Sequence, residues 1–155
     1  SVDEVRAGYQ AIMAAVGQHA KGASIDGVLV APMISGGVET IIGVHRDPVF
    51  GPVVLFGLGG IFVEVLKDVT FRIAPFGLGE AHRMIDEVRG RALLDGVRGQ
   101  PASDVDALAL SLSQLSVYAA LHGDVIESID INPFLVKAKG EGVIAVDALI
   151  LTHSE

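Results

Sequence analysis

Apolar residues recur along this chain at two spacings, and each spacing predicts its own kind of element. Val5, Tyr9, Ile12, Met13 and Val16 share one helical stripe. Ser1-Val2-Asp3-Glu4 before them is a capping box, and Gly17 is expected to end the helix. Gly27 to Ile34 (GVLVAPMI) is β-branched and aliphatic, which predicts a buried strand interrupted at Pro32. Ser35-Gly36-Gly37 then turns, and Val38 to His45 (VETIIGVH) returns as the second arm of a hairpin. Two more short strands are expected, Pro52 to Phe56 and Ile61 to Leu66, joined through Gly57, Gly59 and Gly60. From Gly79 to Val88 the period becomes helical, with Ala81, Met84, Ile85 and Val88 on one side and His82, Arg83, Asp86 and Glu87 on the other. After a short turn at Ala92-Leu93-Leu94, Ser103 or Asp104 caps a second long helix. Its core positions are Val105, Leu108, Leu112, Leu115 and Ala119, and it runs to Leu121 before Gly123 stops it.

The closing stretch, Asp124 to Ile150, reads as two strands joined by a turn. In Val125 to Asn132 the residues Val125, Ile129 and Ile131 face one way and Ser128, Asp130 and Asn132 the other. Pro133, which lacks a backbone donor, is expected to close that strand. Lys137-Ala138-Lys139-Gly140-Glu141-Gly142 has the charge and glycines of an exposed turn, and Val143 to Ile150 returns, apolar except for Asp147. A carboxylate in such a run is costly to bury unless it is paired or holds a metal. In an ordinary hairpin register Asp147 faces the Asp130 and Asn132 side, gathering hard oxygen donors that suit Mg²⁺. The alternative is that Asp130 and Asn132 shape the turn at Pro133 while Asp147 meets a lysine.

The order helix, strands, helices, hairpin predicts an α+β domain, a mostly antiparallel sheet with helices packed on one face. At 155 residues and 50% hydrophobic content the chain is long enough for one compact domain with a substantial core. It has no cysteine, hence no disulfide framework or thiol chemistry, which fits a reducing cytoplasm. No apolar run approaches the ~20 residues of a membrane span. A net charge of −8 argues against a nucleic-acid partner, and it requires any nucleotide site to be made locally positive by a cation or a few arginines. Because the chain opens directly on a helix, without an initiator Met, it reads as a piece cut from a longer polypeptide.

Other residues stand out chemically. The glycine cluster follows a strand, so its N–H groups could approach a phosphate. What comes next is strand-like rather than helical, which excludes a dinucleotide fingerprint and leaves a tight turn as the alternative. Glu39 is a lone carboxylate among apolar neighbours, either facing water on an edge or functional. Arg72, between Phe71 and Ile73, is a candidate for a half-buried ion pair or an anion contact, with Glu64 as a possible partner. His19, His45, His82, His122 and His153 are scattered and none earns a catalytic role.

The run GGVETIIGVHRDPVFGPVVLFGLGGIFVEVLKDVTFRIAP resembles the ATP-grasp domain of NDP-forming acyl-CoA synthetases, relatives of the succinyl-CoA synthetase β subunit. LLDGVRGQP, SIDINPFLV and VIAVDALI follow in that family's order. The resemblance covers essentially the whole chain. It implies the later part of a fold that grips ATP, with the phosphate-contacting lysine and the phosphate-relaying histidine lying elsewhere. It also implies that Asn132 and Asp147 are magnesium ligands and that Asp130 is a ligand or a support behind them. Glu39 would lie beside the nucleotide, and Gly57, Gly59 and Gly60 would form a loop facing the active site. The implied cofactors are Mg²⁺ and ATP or ADP. The implied partners are the other half of the grasp and the CoA-binding and ligase domains of the same enzyme, with homo-oligomerisation left open. The chemistry implied is reversible conversion of acyl-CoA, ADP and phosphate to acid, CoA and ATP, through an acyl phosphate and a phosphohistidine. An alternative is a regulatory ATP-grasp-like domain of a protein acyltransferase, and a blander one is a subunit-contact module with no ligand of its own.

Overall fold

The computed structural model describes residues 1–60, 67–97 and 99–153. By contacts the chain divides into two units, Ser1–Ile34 and Ser35–Glu155. In the first unit, helix α1 (Val2–His19) opens on the expected capping box. The Ser1 side chain accepts from the Glu4 N–H, and Glu4 reaches back to the terminal amine at 2.5 Å. The helix runs through Gly17, because a single glycine only weakens a helix. None of its residues is buried, and Val2, Val5, Tyr9 and Ile12 stay exposed.

Residues 23–34 have no regular structure, so the strand expected at Gly27–Ile34, and its hairpin with Val38–His45, do not form. The reason lies in the second unit. There β1 (Val38–Asp47) is paired with β2 (Gly51–Leu58) along one edge and with β4 (Ile126–Val136) along the other. Both edges of β1 are taken, and a strand has only two.

Among the described residues the sheet has six strands in the order β3-β2-β1-β4-β5, with β6 also on β4. Here β3 is Val69–Ile73, β5 is Val143–Ala145 and β6 is Ala148–Thr152. Every pairing is antiparallel. The strand expected at 61–66 lies outside the described residues. The tight turn between β1 and β2 is shaped by Asp47, whose carboxylate accepts the N–H groups of Val49 and Phe50 at 2.8 and 2.9 Å, and by Gly51 at φ +77°.

Helix α2 (Leu78–Asp86), a 3₁₀ turn (Arg89–Asp95) and helix α3 (Val105–Leu121) complete the unit. The apolar stripes read for α2 and α3, unlike that of α1, face the core. Ala81, Met84, Ile85 and Val88 pack with Leu108, Leu112 and Ala119 against Thr40, Ile42, Val44, Val54, Phe56 and Leu58. Asp104 rather than Ser103 caps α3, accepting from the Ala107 N–H. The architecture is therefore α+β, with helices on one face of an antiparallel sheet. Among the described residues no helix is long and apolar enough to cross a membrane.

Two local expectations change. β4 does not stop at Pro133 but runs on to Val136. The proline's missing donor falls at an irregularity in the β1–β4 ladder, between Thr40 and Ile42, where two residues of β4 sit opposite Ile41. Arg72 does form an ion pair, but with helix α2: its guanidinium meets Glu80 at 2.5 Å and Glu87 at 2.6 Å. Both carboxylates raise its pKa, Glu87 the more strongly. Glu64 lies outside the described residues.

Leu112 is fully buried between α3 and the sheet. Leu112→Ala is expected to cost about 2–5 kcal/mol through lost burial and the cavity left behind. A urea titration checks this, and an unchanged midpoint would remove Leu112 from the core.

Candidate functional site

Because α2 and α3 cover one face of the sheet, alternate residues of β1 and β2 point to the other, open face. Ile42 and Val44 are buried under the helices, and their β4 partners are Ile131 and Ile129. Gly43 and His45, with their partners Asp130 and Ser128, therefore face the open side. Across the next ladder, Asp130 lies opposite Leu149 and Ser128 opposite Leu151.

Asn132 is two residues beyond Asp130 on the same strand. Its N–H donates to the carbonyl of Asp147 at 3.2 Å, so the two residues stand opposite each other across the hairpin. Asp130, Asn132 and Asp147 are all exposed. The Asp147 carboxylate accepts the Ala148 N–H at 2.9 Å through Oδ1. The expectation that Asp147 is buried in an apolar strand is thus corrected. Val146 and Asp147 interrupt the return arm between β5 and β6, and the whole of β6 is exposed, so the carboxylate keeps its water. No desolvation cost demands a partner for it. Nor does a lysine pair with it: among the described residues, the ion pairs involve none of Glu39, Asp130 and Asp147. Lys137, at the hairpin turn, is directed to the carbonyls of Ser35 and Gly36 at 2.5 and 3.3 Å.

The glycines approach the same region from the other side of β1. Gly57 is the partner of Ile41, the residue opposite the Asn132–Pro133 irregularity. Gly59 donates its N–H to the Glu39 carbonyl at 2.7 Å, and a Cβ on Gly59 would lie 3.0 Å from the Cβ of Glu39. Gly60 follows at φ +61°, a conformation that favours glycine. Glu39 itself is exposed and pairs with Leu135. The expected site residues therefore occupy neighbouring rows of one sheet face. Gly59 and Glu39 lie at one end, then come Gly57, Asn132 and Asp147, then Asp130.

The chemistry of this donor set is that of hard oxygens, a carboxylate beside an amide, with Asp130 one row away. Such donors fit a hydrated magnesium ion completed by phosphate oxygens. Among the described residues no cluster of three or more Asp, Glu, His or Cys side chains is placed to hold a metal by itself. Beyond Asp130 the open face continues as an apolar cavity of about 690 Å³, with Ile41, Val53, Leu55, Phe71 and Ile73 in its lining.

Residues 1–151 match the family described as the ATP-grasp domain. The chain belongs to the ATP-grasp family. Among its relatives is the β subunit of acetate–CoA ligase [ADP-forming] II of Pyrococcus furiosus, 43% identical over 97% of this chain and 64% of that protein. Another is the 4-hydroxybutyrate–CoA ligase [ADP-forming] of Nitrosopumilus maritimus, 42% identical over 95% of this chain and 21% of that protein. Among solved structures, the acetyl-coenzyme A synthetase 1 of Ca. Korarchaeum cryptofilum, in complex with coenzyme A and Ca-AMPCP, superposes with a TM-score of 0.88. It is 40% identical over 99% of this chain and 66% of that one. The same synthetase was solved with coenzyme A and Mg-AMPPCP, with a TM-score of 0.72 and 42% identity over 77% of this chain and 55% of that one. The ATP-grasp chain thus spans about two thirds of a separate β subunit and about a fifth of a fused ligase. Its relatives are β subunits or larger enzymes with further domains.

Gly43, opposite Asp130 on the same face, is a residue that the sequence reading passed over. A Cβ there would lie 2.8 Å from the Ile129 carbonyl oxygen, so only glycine lets β1 approach β4 beside Asp130. The available signal was a lone glycine inside a strand pattern, which often marks close backbone approach. Gly43→Ala is expected to force the strands apart and cost about 1–3 kcal/mol. Chemical denaturation measures that loss, and wild-type stability would show that the approach is not limiting.

Proposed function

We propose that this chain is the magnesium- and nucleotide-holding part of an ADP-forming acid–CoA ligase. The enzyme it serves converts acyl-CoA, ADP and phosphate to acid, CoA and ATP, reversibly. The phosphoryl group passes from an acyl phosphate to an enzyme histidine and then to ADP. The observation that carries this is the placement of Asn132 opposite Asp147 on the open face, one row from Glu39 and the Gly57–Gly60 strand end.

Asn132 and Asp147, with Asp130 beside them, would hold the cation. When bound, it would supply charge neutralisation for the phosphate oxygens during transfer. The chain's own residues do the positioning. Gly57 and Gly59 keep the strand end free of side chains, so a nucleotide can lie close to the backbone. Glu39, exposed on the same face, is placed to accept hydrogen bonds from nucleotide hydroxyls. Relatives of nearly equal identity are named for acetate and for 4-hydroxybutyrate, which supports assigning acyl recognition to other domains of the enzyme. The partners proposed are those CoA-binding and ligase domains and the other half of the grasp. The cysteine-free chain would work in the cytoplasm.

In the enzyme that contains this chain, Asp147→Asn is expected to lower ADP-dependent turnover of acyl-CoA by about 100-fold, a loss of about 2.7 kcal/mol of transition-state stabilisation. Because Asp147 is exposed, its unfolding midpoint should stay within about 0.5 kcal/mol of wild type. Wild-type turnover across a magnesium titration would overturn the assignment. Turnover that is absent from the parent enzyme itself, with nucleotide binding retained, would favour the regulatory alternative. The isolated chain is expected to show no ADP-dependent cleavage of acyl-CoA in a coupled assay for free CoA.

A further inference from the structure

The two arms that carry Asn132 and Asp147 are held very differently. β4 is anchored in the core by Ile126, Ile129, Phe134, Leu135 and Val136, all buried. The return arm from Ala145 to Thr152 is exposed throughout. Register is strongly specified where one face of a strand is buried and weakly where none is. Core packing therefore fixes Asn132, whereas the return arm meets the core only at its start, through half-buried Val143, and has no packed residue near Asp147. A slip of one residue would turn the Asp147 side chain to the other face.

From the turn as far as the Ser128–Leu151 pair the hairpin nevertheless keeps one register, which shifts only beyond it, before Ile126. It begins at the Lys137 N–H donating to the Gly142 carbonyl, and continues through Val136–Val143, Leu135–Ile144 and Phe134–Ala145. The Val146 N–H donates to the Pro133 carbonyl, the Asn132 N–H to the Asp147 carbonyl, and Ile131–Ala148 and Asp130–Leu149 follow. In such a hairpin the turn sets the register, and this turn is clamped from outside. The Asp104 carboxylate accepts the Gly140 N–H at 2.9 Å and the Gly142 N–H at 3.0 Å through Oδ2. Its Oδ1 accepts the Ala107 N–H at the start of α3. The Asp104 N–H donates to the Lys137 carbonyl, and the Lys139 N–H to the Ala102 carbonyl, both at 2.9 Å.

We infer that Asp104 is a positioning residue for the phosphoryl-transfer site: it clamps the hairpin turn to helix α3 and so sets the register that places Asp147 opposite Asn132. This rests on the metal-holding role proposed above for that pair. The backbone N–H groups of Ala107 and Gly142, and more weakly that of Gly140, hold the Asp104 carboxyl below the usual carboxylate range, so it is an ionised acceptor near neutral pH. Gly140 and Gly142, at φ +87° and +79°, give the turn the shape that aims both N–H groups at one oxygen.

The test uses the full-length enzyme and reads, in three variants, the Mg²⁺ dependence of ADP-dependent acyl-CoA turnover and, by titration calorimetry without acyl-CoA, the Mg²⁺ dependence of ADP binding, which should shift together. Asp104→Asn keeps one oxygen for the helix cap and loses the charged acceptor that holds the turn. It should raise the Mg²⁺ concentration for half-maximal rate about three- to tenfold while leaving kcat at saturating Mg²⁺ within about twofold. Gly140→Ala strains the other side of the clamp without touching the cap, and should move the Mg²⁺ dependence in the same direction. Asp106→Asn, in the same first turn of α3 but outside the clamp, should leave it unchanged. A merely structural role for Asp104 would lower stability without this split between Mg²⁺ dependence and kcat. Wild-type Mg²⁺ dependence in both Asp104→Asn and Gly140→Ala, with Asp147→Asn defective, would overturn this inference and leave the site assignment standing. An unaltered Asp147→Asn would overturn both.

Discussion

One-sided burial governs the second unit. Helices α2 and α3 cover a single face of the sheet, so along β1 and β2 every second side chain is committed to the core. Thr40, Ile42, Val44, Val54, Phe56 and Leu58 meet that requirement and are all buried. The residues between them are released from it, and these include Glu39, Gly43, Gly57 and Gly59. The same constraint crosses to β4, where buried Ile129 puts Asp130 on the free face. The proposed chemistry is therefore carried by the face that stability does not use, on strands that stability holds still.

The hairpin from β4 to β6 departs from that pattern, because its second arm meets the core only at its start, through Val143. Its second arm depends on hydrogen bonds to the first and on the turn held at Asp104. The proposed metal site thus combines a donor on a rigid strand with a donor on a tethered one. A weakly packed arm leaves Asp147 hydrated, and a hydrated carboxylate suits a cation that keeps some of its own waters.

Elements defined by local periodicity were legible in the sequence. The stripes of α2 and α3, the capping box of α1 and the hairpin turn at 137–142 depend on residues close in sequence, and they stand where they were expected. The misreadings all involved pairing, docking or exposure, which local periodicity does not report. Gly27–Ile34 has the composition of a strand, but whether a strand forms depends on a free edge, and β1 has none to offer. Pro133 ends an ordinary strand, yet here it falls in a bulge of β4 opposite Ile41, and the strand continues. Asp147 looked expensive because its neighbours are apolar, whereas its cost depends on exposure, which composition does not report. Arg72 was readable as an ion-pair residue, but its partners Glu80 and Glu87 come from a helix whose docking the sequence does not show.

The exposed outer arm has one more consequence, for handling the protein. β6 hydrogen-bonds to β4 along one side, and among the described residues no strand pairs with its other side. That side presents unpaired backbone groups together with Leu149, Ile150 and Leu151, all exposed. An apolar, unprotected edge is a template for another strand, and proteins commonly guard such edges with lysine, proline or a covering element. β6 carries no charged residue at all. Mutual repulsion between molecules of net charge −8 is the opposing force, and added salt screens it. On its own, this chain should therefore self-associate through β6 more readily at high ionic strength than at low.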